Sequence, residues 1–176
     1  ANAMKFISPV TLQALTSNIV VSDTFQCPEP ERVEHIALAQ DADLLVIAPA
    51  SANIIAKTAH GIADDMLSST VLAATCPILI APAMNTHMWE NRATQDNMKI
   101  LLSRGYLTIG PGSGILACGD TGPGRMSEPE EIVRRVEEIL SQEARDLEGI
   151  RVLVTAGGTR ERLDPVRFMT NDSSGR

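Results

Sequence analysis

The run Leu44-Leu45-Val46-Ile47 sets four large aliphatic residues side by side and stops at Ala48-Pro49; the stretch around it, Asp43 to Leu67, organises the rest of the chain. Without polar alternation, such a run reads as a strand covered on both faces, as in a parallel sheet packed between helices. It is therefore expected to be a central strand. Pro49 removes a backbone donor where the ladder must end. Ala50, Ser51 and Ala52 keep the following turn small, so a ligand can approach backbone amides at the start of the next helix. The carboxyl edge of an open α/β sheet is where ligands bind. By themselves, residues 50–53 fit a plain helix cap equally well, with Ser51 or Asn53 satisfying orphan N–H donors. A second strand end of the same design shifts the balance: Ile78-Leu79-Ile80 is cut short in Ala81-Pro82-Ala83-Met84-Asn85. Two strands delivering small residues and carboxamides to one edge make a candidate site.

The fold class that follows is α/β, an open and mainly parallel Rossmann-like sheet with helices on both faces. A strand, a Gly-rich turn and a helix would ordinarily open such a sheet; none precedes this stretch, so the first strand is expected to be missing. Residues 6–15 read as a short helix and Val20-Val21 as a short strand. Glu31 to Gln40 reads as a helix with Val33, Ile36 and Ala37 toward the core. His35 lies beside that stripe, where a histidine is more often a boundary residue than a catalyst. Its place just ahead of the strand keeps it a candidate. Residues 54–59 continue as a helix ended by Gly61, and Ala63 to Ala74 form another, with Asp64 and Asp65 where the helix dipole favours carboxylates. That pair reads as capping rather than metal binding, because no further ligand is spaced to complete a site. Thr94 to Arg104 reads as a helix and residues 107–109 as a strand.

Gly110 to Arg125, GPGSGILACGDTGPGR, is so rich in glycine and proline that no regular structure is expected, and it reads as a mobile flap carrying Cys118. Ser127 to Gln142 reads as a helix opened by a Ser127/Glu130 capping box, with Ile132, Val133, Val136, Ile139 and Leu140 on one stripe. The expected organisation is one domain over residues 1–142, a linker over 143–149, and the start of a second α/β domain over 150–176. In that second unit Ala156-Gly157-Gly158-Thr159-Arg160 suits phosphate binding through backbone amides. The formal charge of −7 argues against a nucleic-acid partner, which would need a basic stripe. No apolar stretch approaches a membrane span. Three cysteines without metal-type spacing suit a reduced, cytoplasmic protein.

Taken together, Pro49-Ala50-Ser51-Ala52-Asn53, Pro82-Ala83-Met84-Asn85 with Met88-Trp89, the helix His35-Ile36-Ala37-Leu38, and Ala117-Cys118-Gly119-Asp120 with Gly124-Arg125-Met126 resemble the flavin-dependent cysteine decarboxylases. The chain as a whole resembles those of coenzyme A synthesis that are joined to a ligase half, whose opening is matched by residues 156–160, 164–167 and 171–175. The resemblance implies a flavodoxin-like fold, bound FMN contacted by Ser51, Ala52, Asn53 and Ala83, and a homotrimer or higher assembly with flavin sites between subunits. It implies His35 as acid/base, Asn85 with Met84 as the substrate-carboxylate site, Cys118 as a proton donor, and no bound metal in the decarboxylase part. For the ligase half it implies CTP and Mg2+, with Asn171 acting on an acyl-cytidylate. The implied reaction is decarboxylation of 4'-phosphopantothenoyl-cysteine to 4'-phosphopantetheine. A non-catalytic flavin-binding regulatory subunit and a flavin decarboxylase of another cysteine substrate are the alternatives. A nicotinamide dehydrogenase is disfavoured for want of a dinucleotide fingerprint.

The chemistry explains such a residue set. Loss of CO2 from a cysteine carboxylate leaves a carbanion that a thiol side chain cannot delocalise; oxidation to a thioaldehyde places the carboxylate β to a thiocarbonyl, which can accept the electrons. The cofactor carries that step, and the protein supplies position and protons. A neutral amide suits a carboxylate whose charge disappears, since an arginine would favour the ground state. Histidine, with a reference pKa near 6.5, can exchange the thiol proton near neutral pH. His35→Asn is expected to abolish thiol oxidation, whereas Cys118→Ser should still release CO2 and accumulate the oxidised enethiol. Captured CO2 and the product mass distinguish the two, and equal loss of CO2 release would contradict this division of labour.

Overall fold

In the computed structural model of the chain, three parallel strands lie in the order β1 (Leu45–Ala50), β2 (Ile78–Pro82) and β3 (Leu107–Thr108). The structure describes residues 2–24, 33–116, 119, 121–142, 160–162 and 164–170. The α/β class is as expected. The middle strand, however, is β2, every residue of which is buried, while β1 leaves Val46 37% exposed. This corrects the assignment of Leu44 to Ile47 as the central strand. Aliphatic runs look alike in sequence, and among the described residues β2 alone has a strand on each side.

Parallel strands need crossover connections, and helices supply them. From β1 the chain passes through α3 (Ala52–His60) and α4 (Met66–Ala73) to β2, then through α5 (Thr86–Glu90) and α6 (Arg92–Ser103) to β3. Gly61 ends α3 in the left-handed conformation, φ +68°, where a side chain would be strained. Asp65 caps α4, its carboxylate accepting from the Ser68 N–H at 2.9 Å while the Ser68 hydroxyl accepts from the Asp65 N–H at 3.1 Å. Ile47, Ile54, Ile55, Val71, Ile78, Ile80, Met98 and Leu101 join β1, β2 and three helices in one apolar cluster. Leu79 points to the other face of β2 and is 0% exposed, so both faces of that strand are covered.

Ahead of the sheet, Ser8 caps α1 (Pro9–Thr16), which has no buried residue; Val20-Val21 forms no strand. The helix α2 (Glu34–Asp41) packs against α4. It buries Ala37, as expected, and also Ala39, but leaves Val33 and Ile36 of the expected stripe exposed.

Residues 110–125 also depart from expectation. Gly112–Ile115 (β4) and Thr121–Arg125 (β5) pair antiparallel as a hairpin. Glycine and proline weaken intrinsic strand preference, but a two-stranded ribbon consists of two edges and can accept them. The final helix of the first unit, α7 (Pro129–Gln142), begins later than the Ser127/Glu130 pattern suggests. The Glu128 N–H donates to the Glu131 carboxylate at 3.2 Å, and the Glu128 carbonyl accepts from the Glu131 and Ile132 N–H groups. Ser127 is buried one residue earlier. Ile132 and Ile139 are buried, whereas Val133 and Leu140 are exposed.

The chain divides into two units, Ala1–Glu143 and Ala144–Arg176. In the second, β6 (Arg160–Arg162) and β7 (Phe168–Thr170) form a hairpin. The Asp164 carboxylate accepts from the N–H groups of Val166 and Arg167 in the connection. The strand and Gly-rich turn expected over residues 151–159 lie outside the described residues. Among the described residues, no helix is long and apolar enough to cross a membrane.

Leu79→Ala is expected to cost about 3 kcal/mol, because a fully enclosed strand cannot collapse around the cavity. Val46→Ala at the exposed edge should cost roughly 1 kcal/mol or less. Denaturant midpoints of the two variants check the order, and a reversal would mean that β1 is the enclosed strand.

Candidate functional site

The two strand ends meet at one edge, β2 stopping at Pro82 as expected and β1 running one residue past Pro49, where the ladder was expected to end. Ala50 is opposite Pro82 after a register shift that follows Ile47, and the Ala83 N–H donates to the Ala50 carbonyl at 2.9 Å. Ala50 is fully buried, so residues of minimal size occupy the junction where the chain leaves both strands. On the β1 side Ser51 is the N-cap of α3, yet its side chain makes no capping bond. The plain capping role for Ser51 is therefore not what the geometry shows, and Asn53 already lies inside the helix. Ala52 is the first residue of α3 and is half-buried.

Ser51 and Asn53 line a cleft of about 530 Å³ together with Ile54, Lys57, Asp65, Met66 and Leu67; its remaining wall is largely apolar and comes from residues 3–22. Asp65, which reads from the sequence as a capping carboxylate, and Lys57, which the sequence reading does not single out, are further functional candidates. The available signal was spacing: Lys57 is four residues after Asn53 and shares its face of α3. The Lys57 ammonium contacts the carboxylates of Asp64 at 2.5 Å and Asp65 at 2.6 Å. The hydrogen bonds that Lys57 donates to Asp64 and then to Asp65 raise its pKa. For Asp65, partial burial acts upward, but hydrogen bonds from Lys57 and from the Ser68 amide and hydroxyl outweigh it and bring the carboxyl to about 2.

On the β2 side, Ala83, Met84 and Asn85 line a second cleft of about 430 Å³, faced by Ile115, Leu116, Gly124, Arg125 and Met126. Asn85 caps α5, its side-chain oxygen accepting from the His87 N–H at 2.9 Å. The hairpin closes on this turn through a bond from the Met84 N–H to the Gly124 carbonyl, 2.9 Å. The arrangement thus brings Ser51, Ala52, Asn53, Ala83, Met84 and Asn85 to one sheet edge, with the two sets opening into separate clefts.

His35 lines neither of these clefts; it lies on α2, half-buried, with a buried Nδ1 that has no hydrogen-bond partner among the described residues. Cys118 and Asn171 lie outside the described residues. Among those described, no group of three or more His, Cys, Asp or Glu is placed to hold a metal ion.

Comparison with known proteins agrees with this architecture. The flavoprotein family model matches residues 1–141, and that of the DNA/pantothenate metabolism flavoprotein C-terminal domain matches residues 147–176. The chain is 51% identical over 176 residues to the coenzyme A biosynthesis bifunctional protein CoaBC of Bacillus subtilis and 50% identical over 175 residues to that of Vibrio cholerae. In both cases 99% of this chain is aligned, and it spans 43% of the relative's length. Among solved structures, the FMN-dependent cysteine decarboxylase SpaF is 38% identical with a TM-score of 0.69, covering 80% of this chain and 76% of SpaF. A PPC decarboxylase variant complexed with pantothenoylaminoethenethiol is 37% identical with a TM-score of 0.65, covering 70% of this chain and 71% of the other.

The depressed Asp65 carboxyl gives a sign-specific test. Its ionised form stabilises the fold above the ordinary value of 3.8, and that contribution is lost as pH falls toward about 2. Asp65→Asn keeps an N-cap acceptor and removes the charge. The stability difference between wild type and this variant should shrink from about pH 4 to about pH 2 in thermal melts. A constant difference across that range would exclude the ion pair as its source.

Proposed function

The chain belongs to the flavoprotein family, and from that membership we propose that it is the FMN-dependent decarboxylase part of a coenzyme A biosynthesis enzyme, converting 4'-phosphopantothenoyl-cysteine to 4'-phosphopantetheine. The observation that carries the reading is the Ala83 to Ala50 bond, which sets the Ser51–Asn53 turn and the Ala83–Asn85 turn side by side. Residues 147–176 are the opening of a ligase half that uses CTP and Mg2+, with Asn171 serving its acyl-cytidylate step. The domain limits we propose are 1–142, a linker over 143–149, and 150–176. The protein works in the cytoplasm as a homotrimer or a higher assembly.

The residues present suit a flavin. Ser51 is a cap residue whose hydroxyl is not used within the helix, the α3 amides open beside it, and the adjoining cleft is mostly apolar, as an isoalloxazine requires. Ser51, Ala52, Asn53 and Ala83 are the residues proposed to hold FMN. When bound, FMN supplies the two-electron oxidation of the cysteinyl thiol carbon and the later return of those electrons.

The chain's own groups do the rest. Asn85 has its carbonyl oxygen turned to the His87 N–H, which makes the NH2 side of the carboxamide the side that donates to a carboxylate. A neutral donor holds the substrate carboxylate without favouring its charged form over the transition state. Met84 and the hairpin flank that position and limit water. His35 takes the thiol proton; its partnerless Nδ1 is suited to a group that acquires its partner with the substrate or a neighbouring subunit. Cys118 returns a proton to the product carbon.

Purified protein loaded with FMN should show flavin absorbance and release CO2 from 4'-phosphopantothenoyl-cysteine. Asn85→Asp should keep the flavin spectrum and lose roughly 100-fold or more in kcat/KM, because like charges in a binding site cost several kcal/mol. Full activity of that variant would remove Asn85 from the carboxylate site. Turnover of peptidyl cysteines in preference to the phosphorylated substrate would move the protein to another branch of the family.

A further inference from the structure

We infer that Gly122 and Gly124 are positioning residues for Asn85: their missing side chains let β5 seat directly on the turn that carries this carboxamide. The inference rests on the decarboxylase reading above for what the turn does, and on geometry alone for how it is held.

Asn85 lies between Met84 and Thr86, and β5 touches both. The Met84 N–H donates to the Gly124 carbonyl at 2.9 Å. A Cβ on Gly124 would run into the Met84 carbonyl oxygen and lie 3.5 Å from the Asn85 carbonyl carbon, and its φ of +134° is one that L side chains rarely adopt. Two residues earlier, and so on the same face of the strand, a Cβ on Gly122 would sit 2.7 Å from the Thr86 hydroxyl oxygen and 3.0 Å from its methyl carbon. Contacts that close force something to shift.

The consequence is a backbone clasp around one residue. Asn85 cannot be repositioned by α5 alone, since Met84 is bonded to β5 on one side and Thr86 is packed under it on the other. The same strand pairs with β4 from Ile115↔Thr121 to Gly112↔Arg125, so the two glycines belong to a strand that is itself held in a hairpin. A displacement of β5 therefore shifts the turn that carries the proposed carboxylate donor. Positioning errors near 1 Å can cost about 100-fold in rate.

Strain must be separated from contact. Gly105 has φ +87° and nothing within 4 Å of the place a Cβ would occupy, so Gly105→Ala carries backbone strain without a clash. The Gly122 clash is with a side chain, so Thr86→Ala should relieve it.

The test uses the intact protein loaded with FMN, with hydrogen exchange at the Met84 amide and steady-state decarboxylation of 4'-phosphopantothenoyl-cysteine as readouts. Gly124→Ala should accelerate Met84 exchange roughly tenfold or more and lower kcat by about 10- to 100-fold with the flavin spectrum retained. Gly122→Ala should lower kcat likewise, and Gly122→Ala with Thr86→Ala should recover most of it. Gly105→Ala should leave kcat and KM unchanged. Normal turnover in Gly124→Ala, an equal activity loss in Gly105→Ala, or failure of the double variant to recover would each overturn the proposal. Absence of decarboxylation in the wild type would instead refute the assigned reaction. The exchange arm would then decide the clasp, with unchanged Met84 protection in Gly124→Ala counting against it.

Discussion

The bond from the Ala83 N–H to the Ala50 carbonyl is the point on which the site depends. β2 ends in Pro82 and β1 runs one residue past Pro49 to Ala50; proline cannot donate to a ladder, and β1 has already lost register with β2 after Ile47. Without a contact beyond the prolines, the two exits would separate at the edge where they are needed together. One backbone hydrogen bond between alanines restores the pairing, and it forms because neither residue carries a side chain large enough to hold the strands apart. Burial of Ala50 and Ala81 at 0% exposure shows how tightly that corner is filled.

Around this corner the remaining elements act as braces. Lys57 links α3 to the Asp64-Asp65 approach of α4, so the helix leaving β1 is tied electrostatically to the next one as well as by packing. The hairpin braces the other exit through main-chain contact with Met84. The first cleft is therefore supported by charged side chains and the second by backbone. This division fits the chemistry proposed for each: a cofactor that stays bound tolerates fixed charges nearby, while a carboxylate that loses its charge is better served by neutral donors.

Much of this was legible in the sequence. The two aliphatic runs, the stop of β2 at Pro82, the stop at Gly61 and the carboxylate pair before α4 each rest on local chemistry and appear where the residues placed them, give or take a helix turn, whereas β1 runs past Pro49 to Ala50. The ranking of the strands was not legible, because Leu44 to Ile47 and Ile78 to Ile80 have the same local character and only the arrangement of neighbours makes β2 the enclosed one. The hairpin was missed for a related reason. Its residues have little preference for extended structure, and the pairing is decided by what β5 touches, a tertiary contact that no local window contains. Helix α2 followed expectation at Ala37 but not at Val33 and Ile36, which are exposed although their size suggests the core. In the site itself, the neighbourhood of Ser51 and Asn85 followed from the strand ends, but their opening into distinct clefts did not.

A ribbon fastened through its main chain is insulated from the identity of its own outward residues. Ser113 and Ile115 on β4 are exposed, and Ile115 also borders the cleft beside Asn85. Exchanges there alter the shape of the entrance without disturbing the glycine face that grips the turn. A few rim positions can accordingly set the shape of the opening while the buried corner stays as it is.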